Sequence, residues 1–517
     1  MLLGRLKKLI NKLLGPVSWW RDALKFYRFL ARCREMSSFP GVGEGNRVGV
    51  LVMPWMLTRA PWFATSLGLL LAMKGARVTF VVDDMMFGNS ARDFKLALKS
   101  INKALRLLEN DYKILRLSDY RTSGPRAKIS FPEDRIAELA NLNTVWFMRG
   151  ESQNSGRGAY QELVAAQLRK TVIRISMLLR ANQDFSYLLM PGGIYGASCI
   201  WYELAKEQGV RAVTYDSGLN CLLVCTDGIA AQLQDLPRAF ECLRAHPELI
   251  DSVVAEAQFE LDKRWKGKDE FGYQKANSEK CDIGVDNAVL IPLNSPWDSA
   301  ALGLHAVFDG SIQWVVETVR WILDNTQQSV IVRQHPGECS PLGRSTDDYG
   351  EILRNSFGDS PRIRFVAAND PINTYELLER AKLVVVHTST IGVEAACMAK
   401  SVITAAKSYY SDLGFVFSAT SRNDYFELLR RGIAGELLID GAQVQAAWSY
   451  YYLAQCCNWV FTNFNPCAFS KWVDTEIPTL YRDTAILDVL TAIDANIPLS
   501  LIRHRRRQLE RSKVAGC

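Results

Sequence analysis

Short runs of β-branched and other apolar residues alternate along this chain with helical stretches, and the alternation occurs in two series. The first series opens with "RVGVLVMP" at residues 47–54, a helical stretch at about 60–74 and the strand "ARVTFVVDD". Spacing of this kind is typical of a parallel sheet with helices on both faces. A chain of 517 residues is also too long for one hydrophobic core. We therefore expect an α/β protein with two Rossmann-like domains.

The rest of the first series supplies three further predicted strands, "NTVWFMRG", "FSYLLMPGG" and "VRAVTYDSG", with a long helix at 157–181. The segment after the first strand reads "PWMLTRAPW" and contains no GxGxxG. A dinucleotide site in a Rossmann domain needs that glycine-rich turn, because the backbone must approach the pyrophosphate closely. The pattern therefore argues against a dinucleotide cofactor in the first domain.

The second series follows a polar, charged segment at 263–287, which we interpret as a linker. Its predicted strands are "AVLIPLN", "SVIVRQHP", "RIRFVAA", "KLVVVHTS" and "SVITAA", and its predicted helices are 311–325, 373–381 and 390–399. The predicted division is a basic segment at 1–35, a first domain at 44–262, the linker, a second domain at 288–440, helices at 441–495 and a basic tail at 496–517.

The net charge of +6 comes from the two ends of the chain. Residues 1–35 hold nine Lys and Arg against two acidic residues, and residues 503–513 hold six against one, so the body between them is acidic. Basic ends do not make a basic stripe across a domain, which argues against a nucleic-acid partner. The twelve cysteines lack the spacing of a metal site and are interpreted as buried thiols of a protein in a reducing cytosol.

Residues 1–35 predict an amphipathic helix in two parts, separated at Gly15-Pro16. Leucines and lysines divide between opposite faces of the first part, and the second carries Trp19, Trp20, Phe26, Tyr27 and Phe29 among basic residues. Cationic flanks with aromatic residues favour an anionic membrane surface, here the cytoplasmic face of the inner membrane. The alternative is a helix packed on the protein's own core or on a second subunit. The basic tail is interpreted as a solvated end.

Polar residues follow three predicted strands of the second domain, where ligands of open parallel sheets bind. They are Asn294, Ser295 and Asp298 after the first strand, Arg333, His335 and Glu338 after the second, and His387, Thr388, Ser389 and Thr390 after the third. Ser389 or Thr390 is predicted to cap a helix whose free N–H groups favour an anion, and Glu394 lies one turn further on. These residues predict a nucleotide-sugar site. Its phosphate would lie at this turn with Arg333 or His335 on the phosphate oxygens, and its ribose would lie on Glu394.

The segments "RQHPGE" and "KLVVVHTSTIGVEAACMAKSVITAAKSYYSDLGF" resemble the bacterial capsular polysaccharide biosynthesis proteins. These include Kdo transferases and related GT-B glycosyltransferases with an HP motif, and "VRAVTYDSGLNCLLVCTDGIAA" is similar to their first domain. The resemblance implies two domains facing a cleft, a nucleotide-sugar donor that is CMP-linked, and a glycan or lipid-linked acceptor. It implies that His335 and Pro336 shape the phosphate site, that Ser389 and Thr390 hold phosphate or a sugar carboxylate, and that Glu394 holds the ribose.

Sugar transfer with inversion needs a general base, which we expect from the first domain. Asp216, after the strand "VRAVTY", is the first candidate and Glu151 the second, while Gly192 and Gly193 would allow close approach of an acceptor. Asp216 is explained equally well as a turn residue. No Asp-x-Asp motif precedes a candidate site, so we expect neither a metal ion nor a cofactor. The alternatives are a nucleotide-sugar epimerase, a CDP-glycerol-type transferase, or a non-catalytic scaffold in polysaccharide assembly or export.

Overall fold

The computed structural model describes residues 2–35, 44–55, 57–88, 90–120, 131–152, 155–218, 220–270, 272, 286–341 and 343–515. The strands are β1 (Arg47–Val52), β2 (Arg77–Val82), β3 (Lys113–Arg116), β4 (Tyr187–Pro191), β5 (Arg211–Ser217), β6 (Cys221–Cys225), β7 (Val289–Pro292), β8 (Val330–Arg333), β9 (Ile363–Val366), β10 (Leu383–Val386), β11 (Val402–Thr404), β12 (Phe417–Ser418) and β13 (Val460–Phe461).

The helices are α1 (Leu2–Glu35), α2 (Ala60–Met73), α3 (Ala91–Leu105), α4 (Glu133–Met148), α5 (Arg157–Ala181), α6 (Ser198–Glu207), α7 (Leu236–Arg244), α8 (Ile250–Trp265), α9 (Ser311–Asn325), α10 (Tyr349–Phe357), α11 (Thr374–Arg380), α12 (Ile391–Cys397), α13 (Arg422–Ala434), α14 (Gly441–Tyr451), α15 (Phe469–Trp472), α16 (Ile477–Arg482), α17 (Thr484–Ala495) and α18 (Leu499–Ala515). A π-helical stretch, Tyr452–Cys457, continues α14.

The chain divides into two compact units. Unit 1 consists of Met1–Asn143, Gly158–Ala231 and Trp459–Cys517, and unit 2 of Thr144–Arg157 and Gln232–Asn458. The sheet of unit 1 has the order β13-β6-β5-β4-β1-β2-β3. Strands β1 to β5 pair in parallel, and β6 and β13 extend the sheet with antiparallel pairs. The central strands are buried, as expected for a sheet with helices on both faces.

Unit 2 contains a six-stranded sheet of order β12-β11-β10-β7-β8-β9, and all of its strand pairs are parallel. Strands β7 and β10 are short and almost entirely apolar, and each of their residues is buried. Their side chains form a core with α9 and α13, which includes Trp314 and Tyr425. Two helix-covered sheets, one parallel and one mainly parallel, confirm the predicted fold class of two Rossmann-like domains.

One predicted strand is wrong, since "NTVWFMRG" lies at the end of helix α4. The buried residues of α4 include Ile136, Leu139, Ala140 and Asn143, a spacing that follows the helical repeat of 3.6 residues. The short apolar run at the end of α4 resembles a strand by itself, and only the residues before it show the helical spacing. The predicted helices at 157–181 and 311–325 are confirmed as α5 and α9.

Helix α1 is continuous through Gly15 and Pro16, so the predicted break is wrong. Trp19 stacks on Trp62 of α2 with ring centroids 5.0 Å apart, and Phe26 packs on the same indole at 4.8 Å. Both side chains belong to the core of unit 1, which fixes the second half of α1 against α2. These aromatic residues therefore occupy a protein core, where the sequence had favoured a membrane surface. Trp20, by contrast, is 59% exposed.

The two units do not follow the predicted domain boundaries. Helix α8 belongs to unit 2 and runs to Trp265, into the predicted linker, of which residues 271 and 273–285 lie outside the described part. The tail forms helix α18, whose Leu499 is buried and whose Arg506 pairs with Asp488 of α17 at 2.7 Å. Packing on α17 explains why this basic segment is helical. No helix in the described residues is long and apolar enough to span a bilayer.

Candidate functional site

The three predicted strand ends of unit 2 lie side by side, because β7 pairs with both β8 and β10. A pocket of about 40 Å³, called here the unit 2 pocket, lies beyond their carboxyl ends. Of the residues selected from sequence, it is lined by Arg333, His335, Pro336, Ser389, Thr390 and Glu394. The sheet thus brings together side chains that are more than fifty residues apart in the chain.

His335 lies between the end of β8 and a 3-10 turn, Pro336–Cys339. Its Nδ1 accepts a hydrogen bond from the backbone N–H of Gly337 at 3.1 Å, so the neutral ring carries its proton on Nε2. Burial, together with the positive charges of Arg264 and Arg333, lowers the pKa of His335 to about 4. The imidazole is therefore neutral at physiological pH and presents an N–H donor rather than a cation.

Arg333 is buried at the end of β8, and its guanidinium bonds to backbone carbonyls. One nitrogen donates to the carbonyl of Ala367, and Nη2 donates to that of Ile372 at 3.2 Å. These bonds hold the segment between β9 and α11 beside the pocket. Arg333 was predicted to contact phosphate, but in this structure its described hydrogen bonds support the wall of the pocket.

The cation that pairs across the pocket is Arg264, near the end of α8. Its Nη1 lies 3.3 Å from Oε1 of Glu394, and burial opposes its charge while Glu394 raises its pKa well above the ordinary value. The sequence reading missed Arg264 because it assigned residues from 263 onward to a linker. The signal was the buried series Val253, Ala257 and Leu261, whose helical spacing continues to this position.

Glu394 is 1% exposed and lies in the first turn of α12. Its Oε2 accepts from the hydroxyl of Tyr375 at 3.0 Å, and its Oε1 has no hydrogen bond among the described residues despite the nearby guanidinium. A buried carboxylate with one oxygen lacking a hydrogen bond is costly. Glu394 can therefore gain hydrogen bonds from a ligand that brings hydroxyl donors into this pocket.

Ser389 and Thr390 form the turn between β10 and α12. Thr390 is the N-cap residue, but its side chain makes no capping hydrogen bond, contrary to the sequence interpretation of a Ser or Thr cap. The carbonyl of Ser389 accepts from the hydroxyl of Tyr410 at 2.6 Å, which fixes the turn against the following segment. Both residues line the pocket.

Four predicted donor-binding residues do not line the unit 2 pocket, namely Asn294, Ser295, Asp298 and Glu338. Glu338 accepts from Ser295 at 3.2 Å and from Gln334 at 3.0 Å, and burial raises its pKa. Asn294 accepts from the backbone N–H of Thr388 at 3.2 Å. These bonds connect the ends of β7, β8 and β10, so the residues support the geometry of the pocket. Asp298 is exposed and accepts from the N–H of Ala300.

Glu151 belongs to unit 2, where it accepts from the N–H groups of Ser311 and Ile312 at the start of α9. Its Oε1 lies 3.5 Å from Nε2 of His305, whose Nδ1 is 3.0 Å from Nε2 of His387. His387 is buried, and burial lowers its pKa to about 3. Glu151 was expected in the first domain as a second candidate for the base. Its contacts instead tie α9 to the end of β10.

A cavity of about 720 Å³, called here the unit 1 cavity, lies beyond the carboxyl ends of β1, β4 and β5. Asp216, the first candidate for the base, lies near the end of β5 and lines it together with Tyr215. Gly192 also lines the cavity and has a φ of +60°, while the neighbouring Gly193 has a φ of +89°. Asp216 also accepts from the N–H of Ser217 at 2.7 Å, but it lies within β5 and pairs with Leu223 of β6, so it is a strand residue and not the predicted turn residue.

Comparison with known proteins gave no matching family model and no match among curated proteins. Among solved structures, the chain is similar to KpsC of Thermosulfurimonas dismutans, a β-Kdo 2,7 transferase, at 14% identity over 62% of this chain and 88% of that one, with a TM-score of 0.32. It is similar to MnaA of S. aureus with UDP at 12% identity over 87% and 96%, with a TM-score of 0.28. It is also similar to MurG of Acinetobacter baumannii at 10% identity over 83% of this chain and 99% of that one, with a TM-score of 0.26.

Proposed function

We propose that this protein is a GT-B glycosyltransferase that moves a sugar from a nucleotide-sugar donor to a glycan or lipid-linked acceptor of a surface polysaccharide. The observation that carries the proposal is the unit 2 pocket. It combines a cation, a neutral imidazole N–H, two hydroxyl residues and a buried carboxylate at the carboxyl ends of parallel strands. A nucleoside phosphate needs this combination of anion donors and a hydroxyl acceptor.

The donor would be held by an exchange of partners. In this structure Arg264 pairs with Glu394, and the remaining pocket is small. A nucleotide brings phosphate oxygens that suit the guanidinium, and ribose hydroxyls that suit Oε1 of Glu394. We propose that Arg264 turns to the phosphates when a nucleotide enters, which leaves Glu394 to accept from the ribose. The guanidinium then pairs with phosphate, and the buried carboxylate has hydroxyl donors in place of its cation.

Departure of the nucleotide requires stabilisation of the negative charge on its phosphate. His335 would donate its Nε2–H to a phosphate oxygen, while Arg264 and the hydroxyls of Ser389 and Thr390 supply further attraction. The bond between the donor's anomeric carbon and the phosphate oxygen breaks as the acceptor oxygen forms its bond to that carbon, and the nucleotide leaves with the electron pair on its phosphate. Asp216 would take the proton of the acceptor hydroxyl in the unit 1 cavity. This last role is supported by the position of Asp216, which lines a cavity of about 720 Å³.

The proposed donor site is tested by thermal unfolding with CMP, CDP, UDP and GDP. At least one nucleotide should raise the melting temperature, because a ligand that binds only the folded state stabilises it. The variant His335→Ala should lose most of the shift, whereas His246→Ala, which changes an exposed histidine, should keep it. If no nucleotide shifts the wild type while each shifts a known GT-B control, the proposal fails.

Sugar transfer itself is tested by measuring release of the nucleotide from its sugar in the presence of glycan acceptors. Asp216→Asn should reduce transfer by about 100-fold or more, because a general base contributes roughly that factor. It should leave the thermal shift by the nucleotide unchanged, since Asp216 belongs to unit 1. An Asp216→Asn enzyme with full transfer activity would exclude this residue as the base. Conversion of the donor to its epimer without an acceptor would favour the epimerase alternative.

For its location, we propose a peripheral site on the cytoplasmic face of the inner membrane, with the first part of α1 as the attachment. The leucines and lysines of residues 1–15 support this, together with the exposed Val17 and Trp20 that follow them. The test is sedimentation with anionic vesicles after deletion of residues 1–16, which spares the buried part of α1. Loss of binding is expected, and neutral vesicles serve as the control. Undiminished binding would refute the proposal.

A further inference from the structure

The second half of α1 contributes a wall to the unit 1 cavity. Ser18, Arg21, Asp22 and Lys25 line it, and their spacing places them on one helical face. A different face of the same helix carries the buried Trp19 and the rest of the aromatic core contacts. The basic residues on the cavity face of α1, Arg21 and Lys25, are therefore available to a ligand in the unit 1 cavity.

The cations on this wall differ in how strongly they are paired. Arg59 donates to Asp22 at 2.9 Å and to the hydroxyl of Ser18 at 3.0 Å, so Asp22 is already engaged. Arg21 lies 3.7 Å from Asp22 with a side chain that is 71% exposed, and Lys25 lies 4.0 Å from Asp474. Exposed pairs at these distances are weak. Two cations on α1 thus remain able to bind an anion at the cavity.

Aromatic side chains line the same cavity. The rings of Trp55 and Tyr195 have centroids 5.7 Å apart. Gly196, at a φ of +68°, packs so closely against Trp55 that an added Cβ would lie 1.7 Å from the indole. The indole is therefore closely packed against Gly196 and lines a space large enough for a sugar residue. The apolar C–H face of a pyranose packs well on such a ring.

We propose that the unit 1 cavity binds a sugar residue that bears a negative charge. Its ring lies on Trp55, and its carboxylate or phosphate is bound by Arg21 and Lys25 of α1. In the proposed transferase this charged sugar is the acceptor. Only that identification rests on the proposed function. Binding of the charged sugar is a property of unit 1 and is measurable without any donor.

The experiment titrates the full chain with D-glucose, D-glucuronate and D-glucose 6-phosphate, using saturation-transfer NMR. Both charged probes should bind about tenfold more tightly than glucose, the effect of one favourable charge contact of about 1.4 kcal/mol. The double variant Arg21→Ala/Lys25→Ala should bring the charged probes to the level of glucose. Trp55→Ala should weaken all three, with circular dichroism to verify that it folds. The stronger of the two charged probes distinguishes a sugar acid from a phosphate-linked acceptor.

The matched control is Arg28→Ala/Arg34→Ala, which removes the same charge from exposed residues of α1 outside the cavity. It should leave the binding of the charged probes unchanged. Equal binding of glucose and glucuronate, absence of binding by all probes, or an equal loss in the control would each overturn the proposal. If the sugars fail while a nucleotide still raises the melting temperature, this inference alone fails. If the sugars bind and no nucleotide does, the proposed transferase fails instead.

Discussion

At the scale of single residues, the surroundings of His335 decide its chemistry. A histidine at a strand end is an ordinary feature, and its charge state cannot be read from the sequence. Here a backbone N–H occupies Nδ1, and burial with two arginines nearby lowers the pKa to about 4. The residue is therefore a neutral hydrogen-bond donor near neutral pH, and its proposed contribution to phosphate binding should not depend on protonation there.

This predicts a flat pH dependence for the effect of His335→Ala. The ratio of nucleotide affinities, wild type over variant, should stay constant between about pH 5.5 and 8, since the pKa of His335 lies below this window. Taking the ratio cancels the titration of the nucleotide phosphate. Isothermal titration at several pH values provides the measurement. A ratio that increases steeply as the pH falls through 6.5 would mean that His335 binds as a cation.

The pair Arg264 and Glu394 predicts a strong coupling in stability. Arg264→Ala leaves a carboxylate at 1% exposure without its cation, which should cost about 3 kcal/mol of unfolding free energy. Glu394→Gln in the same chain should recover much of that loss, because the buried charge is then removed. A double-mutant cycle by urea unfolding gives the coupling. Additive losses would show that the two residues do not interact in solution.

At the scale of elements, helix α9 depends on a residue that is distant in sequence. Glu151 accepts from two N–H groups at its first turn and pairs with His305, while Asp347 accepts from the backbone N–H of Glu151 at 2.7 Å. Burial alone would raise the pKa of Glu151, but His305 and the helix N–H groups hold it below its ordinary value. An anion at a helix N-terminus is stabilising.

Glu151→Gln should therefore destabilise the protein by about 1–2 kcal/mol near neutral pH. Because the folded-state pKa of Glu151 is lowered, its contribution is present above the unfolded value of 4.5 and is lost as the pH falls through the folded-state pKa. The difference in unfolding free energy between wild type and variant should shrink at acid pH. Guanidine unfolding at pH 7 and pH 4 measures it. A difference that grows on acidification would contradict the assignment.

The elements also show where sequence patterns succeed. Strands β7, β8 and β10 were predictable because short β-branched runs between turns have few alternatives in a parallel sheet. The end of α4 was misread, since its last residues are apolar whichever structure they adopt. Strand β13 was not anticipated, because its antiparallel pairing with β6 joins segments more than two hundred residues apart. Strand β6 was missed although it pairs with its neighbour β5 across a short connection.

At the scale of the whole molecule, the chain has two compact units, each with its own sheet and core. We predict two unfolding transitions in calorimetry. A nucleotide should raise only the transition of unit 2, because ligand binding stabilises the part that holds the site. Glucuronate, by contrast, should act on the transition of unit 1. One cooperative transition that moves with both ligands would contradict this prediction.

The candidate site was predictable to the extent that topology alone determines it. Parallel strands align their carboxyl ends, so the residues after β8 and β10 had to share one edge of the sheet. This is why His335, Ser389, Thr390 and Glu394 were found from sequence and line one pocket. Which polar residues face that pocket, and which brace its walls, depends on side-chain packing. Glu338 and Arg333 carry as much polar character as His335 but are engaged in bonds that support the loops.

The sequence by itself determined the class of the fold and the edge of the sheet where the candidate site lies, because local periodicity dictates strands and helices and their alternation dictates parallel pairing. Only the tertiary structure decided that Arg264 faces Glu394, that the second half of α1 packs on unit 1, and that residues 263–265 belong to helix α8. Those outcomes depend on contacts between distant residues, whose burial and pairing energies no local pattern contains.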